Sequence, residues 1–126
     1  MLISFNWKGW KKLAIIWSVT ITILFCIPGT AFPKQNWLSD LHFDKWVHFG
    51  FFAILVFCWR FYFPVTNAYD WLILFFALIY GILVEIIQHH LIKNRAFDVW
   101  DVIADMTGAV AGLLFWWYLY KKDKPL

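Results

Sequence analysis

The chain has 126 residues, of which 63% are hydrophobic and only 15% are charged. Soluble domains are roughly 45–50% apolar and about 25% charged, so this composition excludes an ordinary soluble domain and indicates an integral membrane protein. The net charge is +3, but the basic residues lie at the ends of apolar segments, where membrane topology accounts for them, so we predict no nucleic-acid partner.

Four segments are long enough to cross a bilayer, because roughly 17–25 mostly apolar residues span its hydrocarbon core. They cover about residues 13–27, 45–63, 70–92 and 99–120, and Pro28-Gly29 and Pro64 stop the first two. We therefore predict an all-α fold. In this fold, residues 1–126 form a single integral membrane bundle of four transmembrane helices.

The first segment also resembles a secretory signal peptide, because three lysines between residues 8 and 12 precede a short apolar run. Pro28 and the bulky Phe32 crowd the cleavage site, so we expect the segment to be retained as an anchor; cleavage is the alternative. Residues 28–43, which follow, mix prolines, apolar and polar residues and could form a short amphipathic piece on the membrane surface. Cys26 and Cys58 are predicted to be apolar fillers at opposite membrane faces, with no disulfide between them.

The distribution of basic residues predicts the orientation. If the N-terminus is cytoplasmic, seven of the 11 Lys and Arg residues lie on the cytoplasmic side and four lie outside. Cytoplasmic loops carry the excess of Lys and Arg. An even number of spans then places both termini in the cytoplasm.

Polar residues recur near the predicted outer ends of the last three segments, at spacings that place them on one helix face. A carboxylate in lipid is costly, so Glu85 marks a candidate functional site. Glu85 lies roughly 10 Å below the end of its helix, at 1.5 Å per residue, and Asp105 lies at a comparable depth. We predict that three helices bring one layer of polar groups together: Lys45, His48, Glu85, Gln88, Asp98, Asp101 and Asp105.

Each of these groups also has a simpler structural interpretation. Asp98 and Asp101 could be a helix N-cap and an acid favoured by the helix dipole, and Lys45 could extend towards the interface. Glu85 or Asp105 could form a structural ion pair with a basic residue of the same layer. His89 and His90 are expected at the interface, and the stretch from Gly108 to Gly112 is expected to permit close helix packing.

Taken in order, the motifs resemble those of the VanZ-like family over roughly residues 40–118. The resemblance implies a small, multi-pass protein of the bacterial cytoplasmic membrane, and the family's best-known member is associated with teicoplanin resistance. The family commonly has Asn where this chain has Asp105. The motifs are Asp44-Lys45-x-x-His48, Glu85-x-x-Gln88, Arg95-x-x-Asp98-x-x-Asp101 and Gly108-x-x-x-Gly112, and the implied site consists of their polar residues from Lys45 to Asp101.

Two classes of function fit these residues. In the first, the site acts on or binds a lipid-linked cell-wall intermediate or another anionic head group among the membrane lipids. Glu85 or His48 would be the general acid or base, and Lys45 and Arg95 would hold the anion. The other binding candidates are Gln88, Asp98, Asp101 and Asp105.

In the second class the protein is not catalytic, and the cluster binds a head group or peptide stem or only staples the bundle. We predict no cofactor and no metal. His48, Glu85, His89 and Asp101 could ligate an ion, but no ligand spacing is diagnostic. A proton or ion path is a weaker alternative, since the inner half offers little beyond Thr22, Arg60 and Tyr80.

Overall fold

A computed structural model describes residues 7–27, 42–92 and 96–123. Within these ranges the chain forms four long helices and no strands, which confirms the predicted all-α fold. They are α1 (Trp7–Phe25), α2 (Phe43–Arg60), α3 (Asn67–Leu91) and α4 (Val99–Asp123). Most of the predicted surface piece, residues 28–41, lies outside the described ranges, as does Arg95.

The helix bounds differ from the predicted segments at their polar ends. α1 begins at Trp7 and not near residue 13, because lysine is a good helix former that an apolar-segment criterion omits. α2 ends at Arg60 and not near residue 63. The arginine side chain binds the carbonyl groups of Phe63 and Pro64 in the turn that follows, which fixes a non-helical connection before α3.

Contacts at the two ends show that successive helices run in opposite directions. Phe25, at the end of α1, lies against His48 near the start of α2, with ring centroids 4.7 Å apart. At the other end Trp10 stacks on Phe61, just after α2, at 3.9 Å. We call these the His48 end and the Arg60 end. α4 begins at the His48 end, because Asp98 there contacts α2, so the start of α1 and the end of α4 share the Arg60 end.

α2 is the central helix and packs against the other three, whereas α1 and α4 make no direct packing contact within the described ranges. The closest approach is between α2 and α4. A Cβ atom added to Gly108 would lie 2.1 Å from the carbonyl oxygen of Phe49, and one added to Gly112 would lie 2.1 Å from that of Ala53. This confirms the predicted packing role of the two glycines.

The bundle exposes many large apolar side chains, whereas several of its charged side chains are buried between the helices. Large apolar side chains such as Ile16, Phe76 and Leu114 are about 60% exposed, whereas Glu85 and Asp105 are fully buried. Water disfavours such an exterior, and lipid suits it. Within the part of the chain that the structure describes, two helices are long and apolar enough to cross a membrane, α3 and residues 99–122 of α4.

One smaller prediction, that both cysteines are apolar fillers, is corrected by burial. Trp116 is also buried, at 2% exposed, because its ring covers a guanidinium described below. Both cysteines are unpaired, as expected, but only Cys58 is a buried filler and Cys26 is exposed.

Candidate functional site

The first group at the His48 end is centred on Lys45, in the first turn of α2. Its Nζ donates hydrogen bonds to Asp98 Oδ2 and Asp101 Oδ1, both at 2.7 Å, and to Asp44 Oδ2 at 3.0 Å. These three bonds match the three N–H donors of an ammonium group. The side chain therefore lies among carboxylates of α2 and α4, and it is 24% exposed.

His48 lies one turn deeper and is 3% exposed. Its Nδ1 is 2.7 Å from Asp105 Oδ1, a hydrogen-bond distance. Its Nε2 faces two further carboxylates, with Asp101 Oδ2 at 3.6 Å and Glu85 Oε1 at 4.0 Å. One imidazole thus contacts acids from two different helices, with one ring nitrogen bound tightly and the other loosely.

Glu85 and Gln88 bring α3 to the same place. The Glu85 side chain is fully buried, and its Oε2 accepts a bond from the backbone N–H of Asp98 at 3.2 Å. Gln88 donates through Nε2 to the carbonyl oxygen of Phe25 at 2.9 Å, which ties the end of α1 to α3. Both residues therefore also fix the relative positions of the helices around the site.

Asp98 serves two purposes with its two oxygens. Oδ1 accepts from the backbone N–H of Trp100 at 2.9 Å, the contact expected of an N-cap at the start of α4. Oδ2 binds Lys45. The N-cap interpretation is confirmed, but it does not exclude the site interpretation.

Asp105 packs closely against Gly81 of α3, a residue that the sequence analysis did not single out. A Cβ atom on Gly81 would lie 2.9 Å from Asp105 Oδ2. The sequence feature that could have drawn attention to Gly81 is a small residue one helical turn before Glu85. Tyr80, which precedes Gly81 in the chain, is hydrogen-bonded at 2.6 Å to Thr22 of α1.

The predicted layer is therefore present among the described residues. His48 and Asp105 lie five and six residues inside their helix starts, and Glu85 lies six residues before the end of α3, so all three are about 7–9 Å deep. His89 and His90 are exposed. The catalytic and binding roles assigned to Lys45, His48, Glu85, Gln88, Arg95, Asp98, Asp101 and Asp105 stay predictions.

A second buried ionic group, which the sequence analysis missed, lies at the Arg60 end. Arg60 Nε donates to Asp70 Oδ1 at 2.6 Å, and the other oxygen of Asp70 accepts from Trp117 Nε1 at 2.9 Å. The guanidinium, which is fully buried, lies 4.3 Å from the ring centroid of Trp116. It also donates to the carbonyl oxygen of Thr66.

This Arg60 group differs in kind from the group around His48. One cation faces one carboxylate. Backbone carbonyl groups accept the other hydrogen bonds of the arginine, one indole N–H donates to the second carboxylate oxygen, and another indole ring covers the guanidinium. The Arg60 group therefore joins α2, α3 and α4 as a structural ion pair. The sequence analysis named Arg60, with Thr22 and Tyr80, among the few polar groups of this half, but it did not predict that Arg60 pairs with Asp70.

An apolar cavity of about 310 Å³ lies between α1, α2 and α3 in the half of the bundle towards the Arg60 end. Ser18 and Tyr80 supply its few polar groups, and Val56 and Ile73 are among its apolar walls. It does not include any residue of the polar group at the His48 end, which we call the His48 cluster: Asp44, Lys45, His48, Glu85, Gln88, Asp98, Asp101 and Asp105.

Comparison with known proteins agrees with the motifs. The model of the VanZ/LLP1 family matches residues 2–120. The chain belongs to the VanZ/LLP1 family. No curated protein and no solved structure is significantly similar to it. The VanZ/LLP1 match covers α1, α2, α3, α4 as far as residue 120 and every residue of the His48 cluster.

Proposed function

We propose that this VanZ/LLP1 protein crosses the bacterial cytoplasmic membrane four times with both termini in the cytoplasm. The seven-to-four division of Lys and Arg supports this orientation. The start of α1 and the end of α4 share one end of the bundle, which supports placing both termini on the same side. The His48 cluster then lies in the outer half of the bilayer, beneath the extracytoplasmic surface.

There the cluster binds, and acts on, the anionic head group of a lipid-linked envelope component, and thereby affects susceptibility to glycopeptides of the teicoplanin type. Lys45 and Arg95 are the proposed anion-binding residues. His48 is the proposed general acid or base, with Glu85 beside it. The family membership supports the biological setting, and the geometry of the cluster supports the chemistry.

One observation carries the proposal. Asp105 holds His48 through Nδ1, while Nε2 faces Glu85 and Asp101 at distances longer than a hydrogen bond. A carboxylate that orients an imidazole through one nitrogen leaves the other in a defined position for proton transfer. A purely structural pair gains nothing from holding one nitrogen loosely, as the tightly bound Arg60 group shows.

The second candidate function is a non-catalytic one, in which the cluster only joins the helices. The three bonds of Lys45 to carboxylates favour it, and so does the tie between Gln88 and Phe25. An anion that binds Lys45 has to share the lysine with these carboxylates.

Substitution of His48 by Asn separates the two candidates. The amide nitrogen of Asn can replace Nδ1 and keep the bond to Asp105, but nothing replaces Nε2. We expect normal amounts of folded protein in the membrane and loss of the change in teicoplanin susceptibility that expression of the wild type confers. His48→Gln, whose amide nitrogen occupies the position of Nε2, is the matched variant and is also expected to be inactive. If His48→Asn retains the full wild-type effect on susceptibility, the acid–base role of His48 is wrong.

A further inference from the structure

Three buried side chains at the His48 end converge as a possible ligand set. His48, Glu85 and Asp101 are each at most 3% exposed. One ligand atom from each residue can be chosen so that all three atoms lie within 4.8 Å of one another. They come from α2, α3 and α4, so the bundle itself brings them together.

The spacing suits a metal ion better than a hydrogen-bonded cluster. His48 Nε2 is 3.6 Å from Asp101 Oδ2 and 4.0 Å from Glu85 Oε1. Two ligands each about 2.1 Å from a zinc ion are about 3.4 Å apart at a tetrahedral angle and about 4.2 Å apart on opposite sides. The observed distances lie between these limits, and both are too long for a hydrogen bond.

The orientation of the imidazole is the second, independent observation. Asp105 Oδ1 binds Nδ1 at 2.7 Å, so Nε2 is directed towards Glu85 and Asp101. Metal-bound histidines characteristically donate their other N–H to a carboxylate in this manner. Gln88, one turn from Glu85, also has a buried Oε1 that accepts no hydrogen bond from the described residues.

Charge favours a cation in the same place. The cluster holds five carboxylates, those of Asp44, Glu85, Asp98, Asp101 and Asp105. Lys45 and His48 are the bases bound to them, and even with Arg95 added from the sequence the acids exceed the bases by two. An anionic head group would therefore meet a negative site unless a cation is bound there.

We propose that His48 Nε2, Glu85 and Asp101 bind one divalent first-row cation, such as Zn²⁺ or Mn²⁺, with Asp105 as the carboxylate behind the histidine. One imidazole and two carboxylates are a donor set suited to these ions. The metal would polarise a phosphoryl or carbonyl oxygen of the head group. The biological use of this site rests on the proposed function, but the binding of the ion does not.

The test is metal binding by the full-length protein, purified in detergent and stripped with EDTA. Titration calorimetry with Zn²⁺ and with Mn²⁺, and elemental analysis after gel filtration, are expected to give one ion per chain. Glu85→Gln and Asp101→Asn keep side-chain shape and are expected to bind at least tenfold more weakly. Asp105→Asn is expected to weaken binding by about 10–100-fold. His90→Ala, which removes an exposed histidine on α3, is expected to bind like the wild type.

Several results would overturn the site. They are no binding by the wild type, equal binding by the Glu85→Gln variant, or loss of binding in His90→Ala, which would indicate adventitious surface coordination. Helical content measured by circular dichroism verifies that each variant is folded. The susceptibility assay with His48→Asn is read separately. A wild type that binds no metal while His48→Asn is inactive rejects the metal and leaves the proposed function standing.

Discussion

At the scale of single residues, the His48 cluster assigns separate tasks to the two oxygens of one carboxylate. Asp98 Oδ1 caps α4 through the N–H of Trp100, and Oδ2 binds Lys45. The cap contributes to folding, whereas the bond to Lys45 belongs to the site. Substitutions that remove only the ion pair, or both the ion pair and the cap, can therefore separate the contribution of Asp98 to folding from its contribution to the site.

We expect Asp98→Asn to keep the cap, because Asn is as good an N-cap as Asp, and to lose only the partly exposed ion pair with Lys45, worth about 0–1 kcal/mol. Asp98→Ala also loses the cap and is expected to cost about 1 kcal/mol more. Thermal unfolding in detergent, followed by circular dichroism, measures both. Equal destabilisation by the two variants would contradict the capping role.

At the scale of helices, the approach of α4 to α2 sets the geometry of the site. Lys45 and His48 on α2 meet their acids on α4 only because glycine occupies both contact positions. A wider spacing between these helices would lengthen every bond between the two sets of side chains.

We therefore expect Gly108→Ala to be destabilising and inactive, since the new Cβ would lie 2.1 Å from the backbone carbonyl of Phe49. Overpacking costs typically about 1–3 kcal/mol, and backbone cannot move aside as a side chain can. Gly50→Ala is the matched control, because nothing lies within 4 Å of its added Cβ, and it should unfold at the wild-type temperature or above. Similar stability of the two variants would contradict the close-packed interface.

The helices and most of the His48 cluster could be predicted from the sequence, because each depends on a pattern within one short segment of the chain. Apolar runs predict the helices, and spacings of three or four residues place Lys45 with His48 and Glu85 with Gln88 on one face. The alternating direction of successive helices then brings these faces to one end.

Pairings between helices could not be predicted, because they depend on rotations of the helices that sequence spacing does not fix. Several basic residues were candidate partners of Asp105 in the sequence, and in the structure its partner is His48. Likewise, Arg60 and Asp70 are separated by a turn whose carbonyl groups accept hydrogen bonds from the arginine. Their pairing could not be predicted without the conformation of that turn. The role of Gly81 depends on its contact with Asp105 of α4, and residue spacing within α3 does not reveal a contact with another helix.

At the scale of the whole molecule, the proposed topology makes a direct prediction. In a variant without Cys26 and Cys58, single cysteines introduced at positions 95 and 122 lie between α3 and α4 and near the end of α4. We expect a membrane-impermeant thiol reagent added to intact cells to label position 95 and not position 122. Labelling of 122 from outside would reverse the orientation, and permeabilised cells provide the control for reactivity.

The central claim is that the two buried ionic groups differ, the Arg60 group being structural and the His48 cluster functional. Asp70→Asn leaves Arg60 buried without its counter-charge, which is expected to cost about 3–5 kcal/mol. Glu85→Gln keeps the shape and an oxygen that can accept the bond from the Asp98 N–H. It also removes the desolvation cost of a buried charge.

The deciding measurement is the thermal unfolding of these two variants in detergent beside their effect on teicoplanin susceptibility in cells. We predict that Glu85→Gln melts at or above the wild-type temperature and has lost its effect on susceptibility, whereas Asp70→Asn melts early. A Glu85→Gln variant as destabilised as Asp70→Asn would show that the His48 cluster is also a structural pair. One that is both stable and fully active would contradict a role of Glu85 in either function.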